Sequence, residues 1–189
     1  MRSLVFVLLI FASVAGLLRE ELAIAQAPGP GSTAAPRATV QVQATLAQLM
    51  RGILLPSSNV VFFAQSNNPA DVKPAGDPSA ATDPLASTYG GWTAVENSSL
   101  ALSEAARLLT VPGRVCSNGR PVPVANADWV KFVQELRQAG ITAFKAAQTK
   151  NQDKMLDAAD AVTTACTNCH NVYREKTPEQ GGLASRCTK

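Results

Sequence analysis

The chain has 189 residues, a formal net charge of +3, and only one His, four Cys and three Met. The length suits one ordinary domain plus a targeting segment, and the charge is too mild and too scattered to point to nucleic acid. A single His excludes a multi-His metal cluster, a Ser-His-Asp site that needs a further His, and a two-His haem site within one chain. The low aromatic content of 5% suits helices better than a β-sandwich.

The N-terminus reads as a secretory signal over residues 1–25. Arg2 supplies a positive start and Leu4 to Leu18 an apolar run, while Ala23-Ile24-Ala25 and Ala25-Gln26-Ala27 offer small-x-small cleavage sites. The run is shorter than the roughly twenty residues of a membrane span, and Arg19, Glu20 and Glu21 interrupt it. The sequence therefore predicts no stable membrane span after cleavage, and a periplasmic protein free to form disulfides. No Cys lies near the cleavage site, which argues against a lipid anchor. Residues 26–38, rich in Pro, Gly and Ala, read as a flexible linker with nothing to bury. A domain follows over 39–189.

Four segments then show apolar residues spaced by three and four, as on a helix with one buried face. The first carries Val42, Leu46, Leu49, Ile53, Val60 and Phe63, with Pro56 expected to kink or divide it. Residues 66–88, with Pro69, Pro74, Pro78 and Pro84, read as a long irregular connection. The second segment carries Trp92, Val95, Leu102, Ala106 and Leu109, and stops at Pro112-Gly113. The third carries Trp129, Phe132, Leu136, Gly140, Ala143 and Ala147, with Asn126 or Asp128 as its cap. The fourth carries Leu156, Ala159, Val162, Cys166, Cys169 and Tyr173, with Asn151 as its cap. No strand alternation is visible. The pattern predicts an all-α fold, most simply an antiparallel four-helix bundle.

Cys166-Thr167-Asn168-Cys169-His170 is a C-x-x-C-H motif. On a helix, positions i and i+3 share a face, so two thiols there can each add to a vinyl group of one haem. The adjacent His170 can then ligate the iron. This is the attachment signature of c-type haem, and it contains the chain's only His. One covalent haem c near the C-terminus is therefore expected. A thioredoxin-like pair would want a βαβ context. A zinc site would want a fourth ligand, which Cys116 or Cys187 would have to supply.

The distal ligand follows by elimination among the methionines. Met1 leaves with the signal. Met155 lies more than about 20 Å from His170 along one helix, at ~1.5 Å rise per residue, too far to reach the same iron. Met50 remains. In an up-down-up-down bundle the start of the first helix and the end of the fourth share a pole, so Met50 and His170 can face each other across a haem. Met50 as a core gap-filler, with the sixth position open, is the other reading.

The chain resembles the class II cytochromes c, the cytochrome c prime family, over about Val40 to Tyr173. Gln48-Leu49-Met50-Arg51 with Pro56-Ser57-Ser58-Asn59, Trp92 with Leu108-Leu109 and Pro112-Gly113-Arg114, and Cys166 to His170 with Tyr173-Arg174 carry the likeness. Met50 makes it similar to the low-spin branch with a helix-one Met ligand. The resemblance places Arg174 near the proximal side of the iron or a haem propionate, against the reading of a solvated Arg at a helix end. It also leaves a homodimer through helix one open. Tyr173 reads as an edge of the core. The long 66–88 connection and the two further Cys depart from the compact members.

Cys116 follows the second helix and Cys187 the fourth, so bundle topology brings them to one pole as a disulfide candidate; two free thiols and an intermolecular bridge are the alternatives. The expected function is single-electron transfer with a redox protein as partner. Binding of NO or CO at an open sixth position is the alternative. An enzyme is not expected, because peroxide cleavage usually wants a distal His and His170 is already assigned.

Overall fold

The computed structural model describes residues 41–174 and Cys187. The expected signal segment and linker lie outside the described residues. Among these residues the structure is all-α, with no β-strand and a single isolated bridge, Val115 to Pro121.

Helix α1, Leu46–Leu49, starts on a capping box. The Thr45 hydroxyl accepts from the Gln48 amide at 3.2 Å, and the Gln48 side chain accepts from the Thr45 amide at 2.8 Å. This cap begins the helix at Leu46, not at the expected Val42. A π-helical stretch, Met50–Leu54, follows, and the rod continues as α2, Leu55–Ser66. Pro56 neither divides the rod nor ends it. It has no N–H to give the turn before it, and it sits at the junction of the π stretch and α2, so the missing bond falls where the register already changes. The register slips just ahead of it: the Leu55 N–H donates to the Met50 carbonyl, five residues back. The rod, Leu46–Ser66, is also the one helix among the described residues long and apolar enough, by length and composition, to cross a membrane. In this structure α2 packs against both α3 and α5.

The 66–88 connection is built from repeated Asx-Pro turns. Asn68, Asp77 and Asp83 each precede a proline and each accept from the backbone amide two residues on, opening a short 3-10 turn. Pro69 and Leu85 from these turns are buried.

Helix α3, Gly91–Ala105, tightens into a 3-10 segment, Ala106–Thr110, and ends ahead of Pro112. Helix α4, Ala127–Gln148, and helix α5, Gln152–Tyr173, are joined through Thr149, Lys150 and Asn151, with Lys150 at φ +51°. Asn151 caps α5 by accepting from the Lys154 amide at 3.0 Å. Asn126 stands at the N-cap of α4, but its side chain makes no capping bond.

Helix α3 packs on α4, and α4 packs on α5. Gly140 on α4 allows the first of these approaches, because a Cβ there would lie 2.8 Å from the Ser103 nitrogen and 2.9 Å from the Ser99 carbonyl oxygen. The buried core draws on Val61, Val95, Leu102, Trp129, Met155 and Val162 among others. Val42, ahead of the first helix, is not in it, and two further expected positions point outward. Ile53 is 38% exposed and Leu156 52% exposed. Ile53 falls within the π stretch, where the residue period differs from 3.6 and the apolar stripe rotates off the core. On α5 the buried stripe runs Met155, Ala158, Ala159, Val162, so Leu156 lies one residue out of phase.

Candidate functional site

Cys166, Cys169 and His170 lie in the last two turns of α5, all half-buried, and both cysteines pack at the margin of the core. The spacing of three puts the two sulfurs on one face, with His170 beside them. Both thiols are free. Their environment holds them protonated. Burial pushes the Cys166 thiol up from its ordinary range. Burial also pushes up Cys169, and the negative charges of Cys166, Asp128 and Glu135 add to it, to about 12. These thiols also stand near the C-terminal, negative end of the helix dipole. A reactive redox cysteine usually sits in the opposite environment, an electropositive one at a helix N-terminus or beside a cation.

Burial, with the Arg174 charge behind it, lowers the His170 pKa, so the imidazole is neutral at physiological pH. Arg174 is exposed, ends α5, and donates its backbone N–H to the His170 carbonyl at 3.2 Å. Arg174 is thus exposed at the helix end, and its charge is a second, smaller cause of the His170 shift after burial.

One turn beyond the motif, Tyr173 is buried and its hydroxyl donates to Asp128 Oδ1 at 2.6 Å. The Asn126 amide donates to the same phenol oxygen at 3.4 Å. The Tyr173 ring meets Trp129 edge-on at 5.0 Å and Phe132 at 6.3 Å between centroids. From sequence alone Tyr173 is a core edge and Asp128 a candidate helix cap. Asp128 does accept from a first-turn amide, that of Trp129 at 3.0 Å, but the bond across to α5 has no signature in sequence spacing.

Met50 lies on a different element. It is the first residue of the π stretch, half-buried and packed against the core. Hydrogen bonds gather the start of α1 and the end of α5 toward one pole. Arg114, buried, donates Nη1 to the Ala44 carbonyl at 2.6 Å and Nε to the Leu108 carbonyl at 3.2 Å. The Leu46 amide donates to the Val115 carbonyl at 2.8 Å. Trp129 Nε1, at the start of α4, donates to the Leu109 carbonyl at 3.1 Å. Met50 and His170 each lie about one turn inward from these tied ends, some 5 Å along their helices at ~1.5 Å per residue.

At the same pole Cys116 and Cys187 are joined by a disulfide, with Cα atoms 5.8 Å apart. Both are buried. The bridge uses the two thiols that a zinc site at Cys166 and Cys169 would have had to borrow. Among the described residues, no cluster of three or more His, Cys, Asp or Glu is arranged to hold a metal ion by itself.

A groove of about 430 Å³ runs between α4 and α5, lined by Glu135, Gln138, Thr142, Thr164 and Asn168 over alanines. The Asn168 amide donates to Glu135 Oε2 at 3.3 Å at one end of it. It occupies a flank of α5 away from the Cys166–Cys169–His170 face.

No family model, curated protein or solved structure matches the chain. The donor set fits a covalently held haem: two protonated thiols on one helical face, and one neutral, half-buried imidazole next to them.

Proposed function

We propose that this chain is a periplasmic c-type haem protein that carries single electrons to or from a redox protein. The observation that carries this reading is the placement of Cys166, Cys169 and His170 together in the last two turns of α5, half-buried, with both cysteines at the margin of the core. Cys166 and Cys169 hold the haem as thioethers, and His170 is the proximal iron ligand. The bound group supplies one-electron exchange at iron. The chain's own residues fix the ligand set, exclude water from one side of it and place charge around it. Arg174 puts a positive charge by His170, and Asp128 and Glu135 place negative charge by Cys169. We read the packing of α2 on α3, α3 on α4, α4 on α5 and α5 on α2 as an antiparallel four-helix bundle of cytochrome c prime type. The disulfide supports folding in an oxidising compartment.

Met50 is the distal ligand in this reading. A Met/His iron changes its ligand set little on reduction, and Met raises the potential, which suits a carrier. The test is the oxidised and reduced absorption spectrum of the purified protein, with and without CO. We expect a low-spin ferric spectrum in the native protein and a high-spin one in Met50→Ala, with faster CO binding to the reduced variant. A high-spin spectrum that Met50→Ala leaves unchanged removes Met50 from the iron. That outcome favours the second reading, a gas-binding haem protein. One observation speaks for that alternative: Arg51, Gly52 and Ile53, the residues right after Met50, are all exposed, so this side of the first helix is thinly covered. A wild-type protein that carries no covalent haem sinks both readings.

A further inference from the structure

We propose that the π stretch Met50–Leu54, kept in place by Pro56, is a register device that turns Met50 out of the buried stripe and presents it as the distal ligand. This deepens the haem reading and rests on its assignment of Met50. Both ends of the first rod are fixed from outside. Upstream, Arg114 donates to the Ala44 carbonyl at 2.6 Å, and the Leu46 amide donates to the Val115 carbonyl at 2.8 Å. Downstream, Ser58, Val60, Val61 and Ala64 are buried, and α2 packs on α3 and α5. Between these anchors the chain carries one residue more than a continuous α-helix holds. The π turn takes it up, with the Leu55 N–H bonded to the Met50 carbonyl five residues back.

The surplus residue decides which side chains face inward. On an α-helix, residues four apart share a face, and residues five apart point about 140° from each other. Leu49 and Leu54 are five apart, yet they are only 4% and 6% exposed. In an unbroken helix Met50 would stand over Leu54 and fill the core, with Leu49 turned away. The π turn exchanges the two. Leu49 joins the buried stripe, and Met50 comes to its margin, half-buried and packed against the core. Cys166 and Cys169 hold the same kind of position on α5. A group held between two helices needs its attachment points at such a margin, not sealed within an apolar stripe.

Pro56 explains why the surplus residue stays where it is. With no N–H it cannot bond to the Gly52 carbonyl, and in a continuous helix its ring would press on that carbonyl. Two hydroxyls from the next turn bend back on the junction. Ser57 donates to the Ile53 carbonyl at 2.8 Å, and Ser58 to the Leu55 carbonyl at 2.9 Å. Gly52 itself carries no packing: it is exposed, and a Cβ there would meet nothing within 4 Å.

Deletion of Gly52 combined with Pro56→Ala therefore tests the device. It leaves Leu49 and Leu54 four apart, and Met50 and Leu55 four apart, so in a continuous helix each keeps its present face. We expect this variant to keep the low-spin spectrum of the native protein. Its haem-free form should unfold at a temperature no lower than the wild-type chain. In an ordinary helix the same deletion would turn Met50 by about 100° and break the upstream ties. A high-spin spectrum, or a chain that does not fold, overturns the proposal. Insertion of one Ala after Gly52 should give a high-spin spectrum and faster CO binding to the reduced form. A low-spin insertion variant would mean that the stretch is slack chain, and the proposal falls. Deletion of Gly52 with Pro56 retained should unfold at a lower temperature than the combined variant, and equal midpoints overturn the part given to Pro56. Covalent haem is measured first, by intact mass under denaturing conditions. Its absence, or a native spectrum that Met50→Ala leaves unchanged, is the failure of the underlying reading, and the proposal falls with it. A low-spin native protein whose combined variant is high-spin is the failure of the proposal alone.

Discussion

At the residue scale, protonation decides how the site behaves before any haem is attached. Burial and the Arg174 charge lower the folded-state pKa of His170 below its ordinary value of 6.5. Between those two values the unfolded chain binds more protons than the folded one, so folding stability falls as the pH falls through that window. We expect the thermal midpoint of the haem-free chain to drop on acidification below about 6.5. His170→Gln removes this titration and should show a shallower drop over the same range. Parallel curves for the two proteins would mean that the imidazole feels no burial. The same residues show what sequence spacing can carry. The C-x-x-C-H motif names its three residues outright, because a local spacing on a helix is also a spatial arrangement. Asp128 and Tyr173 lie 45 positions apart, and no local pattern joins them. What brings them together is the crossing of α4 and α5, which sequence alone leaves open.

At the scale of the element, the periodicity locates α3, α4 and α5, since each buries one continuous stripe. It misjudges the first rod and the phase of α5 for different reasons. The π stretch at Met50–Leu54 changes the residue period, so a stripe drawn at 3.6 residues per turn places Ile53 inside when it is outside. On α5, Leu156 outweighs Met155 on any hydrophobicity ranking, yet only Met155 is in register with Ala159 and Val162. Gly140 is a case where the residue type matters more than the stripe. Its position on α4 has no space for a side chain, because the α3 backbone at Ser99 and Ser103 fills it. Backbone cannot turn aside as a long side chain can. Gly140→Ala gains about 1 kcal/mol of helix propensity, but overpacking of this kind costs about 1–3 kcal/mol. The expected net outcome is a destabilised protein, read as a lower midpoint in denaturant unfolding. An unchanged or higher midpoint would show that α3 and α4 can separate freely.

At the scale of the described structure, one pole carries a dense set of long-range ties. The start of α1, the 3-10 end of α3, the start of α4 and the end of α5 are linked by Arg114, Val115, Trp129, Asp128 and Tyr173. The disulfide between Cys116 and Cys187 closes a span of 71 residues at the same end. In the chain-entropy account, a crosslink over a loop of that length stabilises by about 4 kcal/mol, mainly by restricting the unfolded chain. Its position adds a local effect. Cys116 is flanked by Arg114 and Val115, which tie down Ala44 and Leu46, a turn before Met50. Removing the bridge should therefore do more than lower global stability. In the Cys116→Ser, Cys187→Ser double variant we expect a fall in unfolding free energy of about 2–4 kcal/mol, together with amide exchange that rises at Leu46 and Trp129 more than in the middle of α4. Hydrogen exchange read residue by residue separates the two contributions. A uniform rise across the helices would reduce the bridge to an entropic crosslink, and leave the first helix held at this pole by its hydrogen bonds alone.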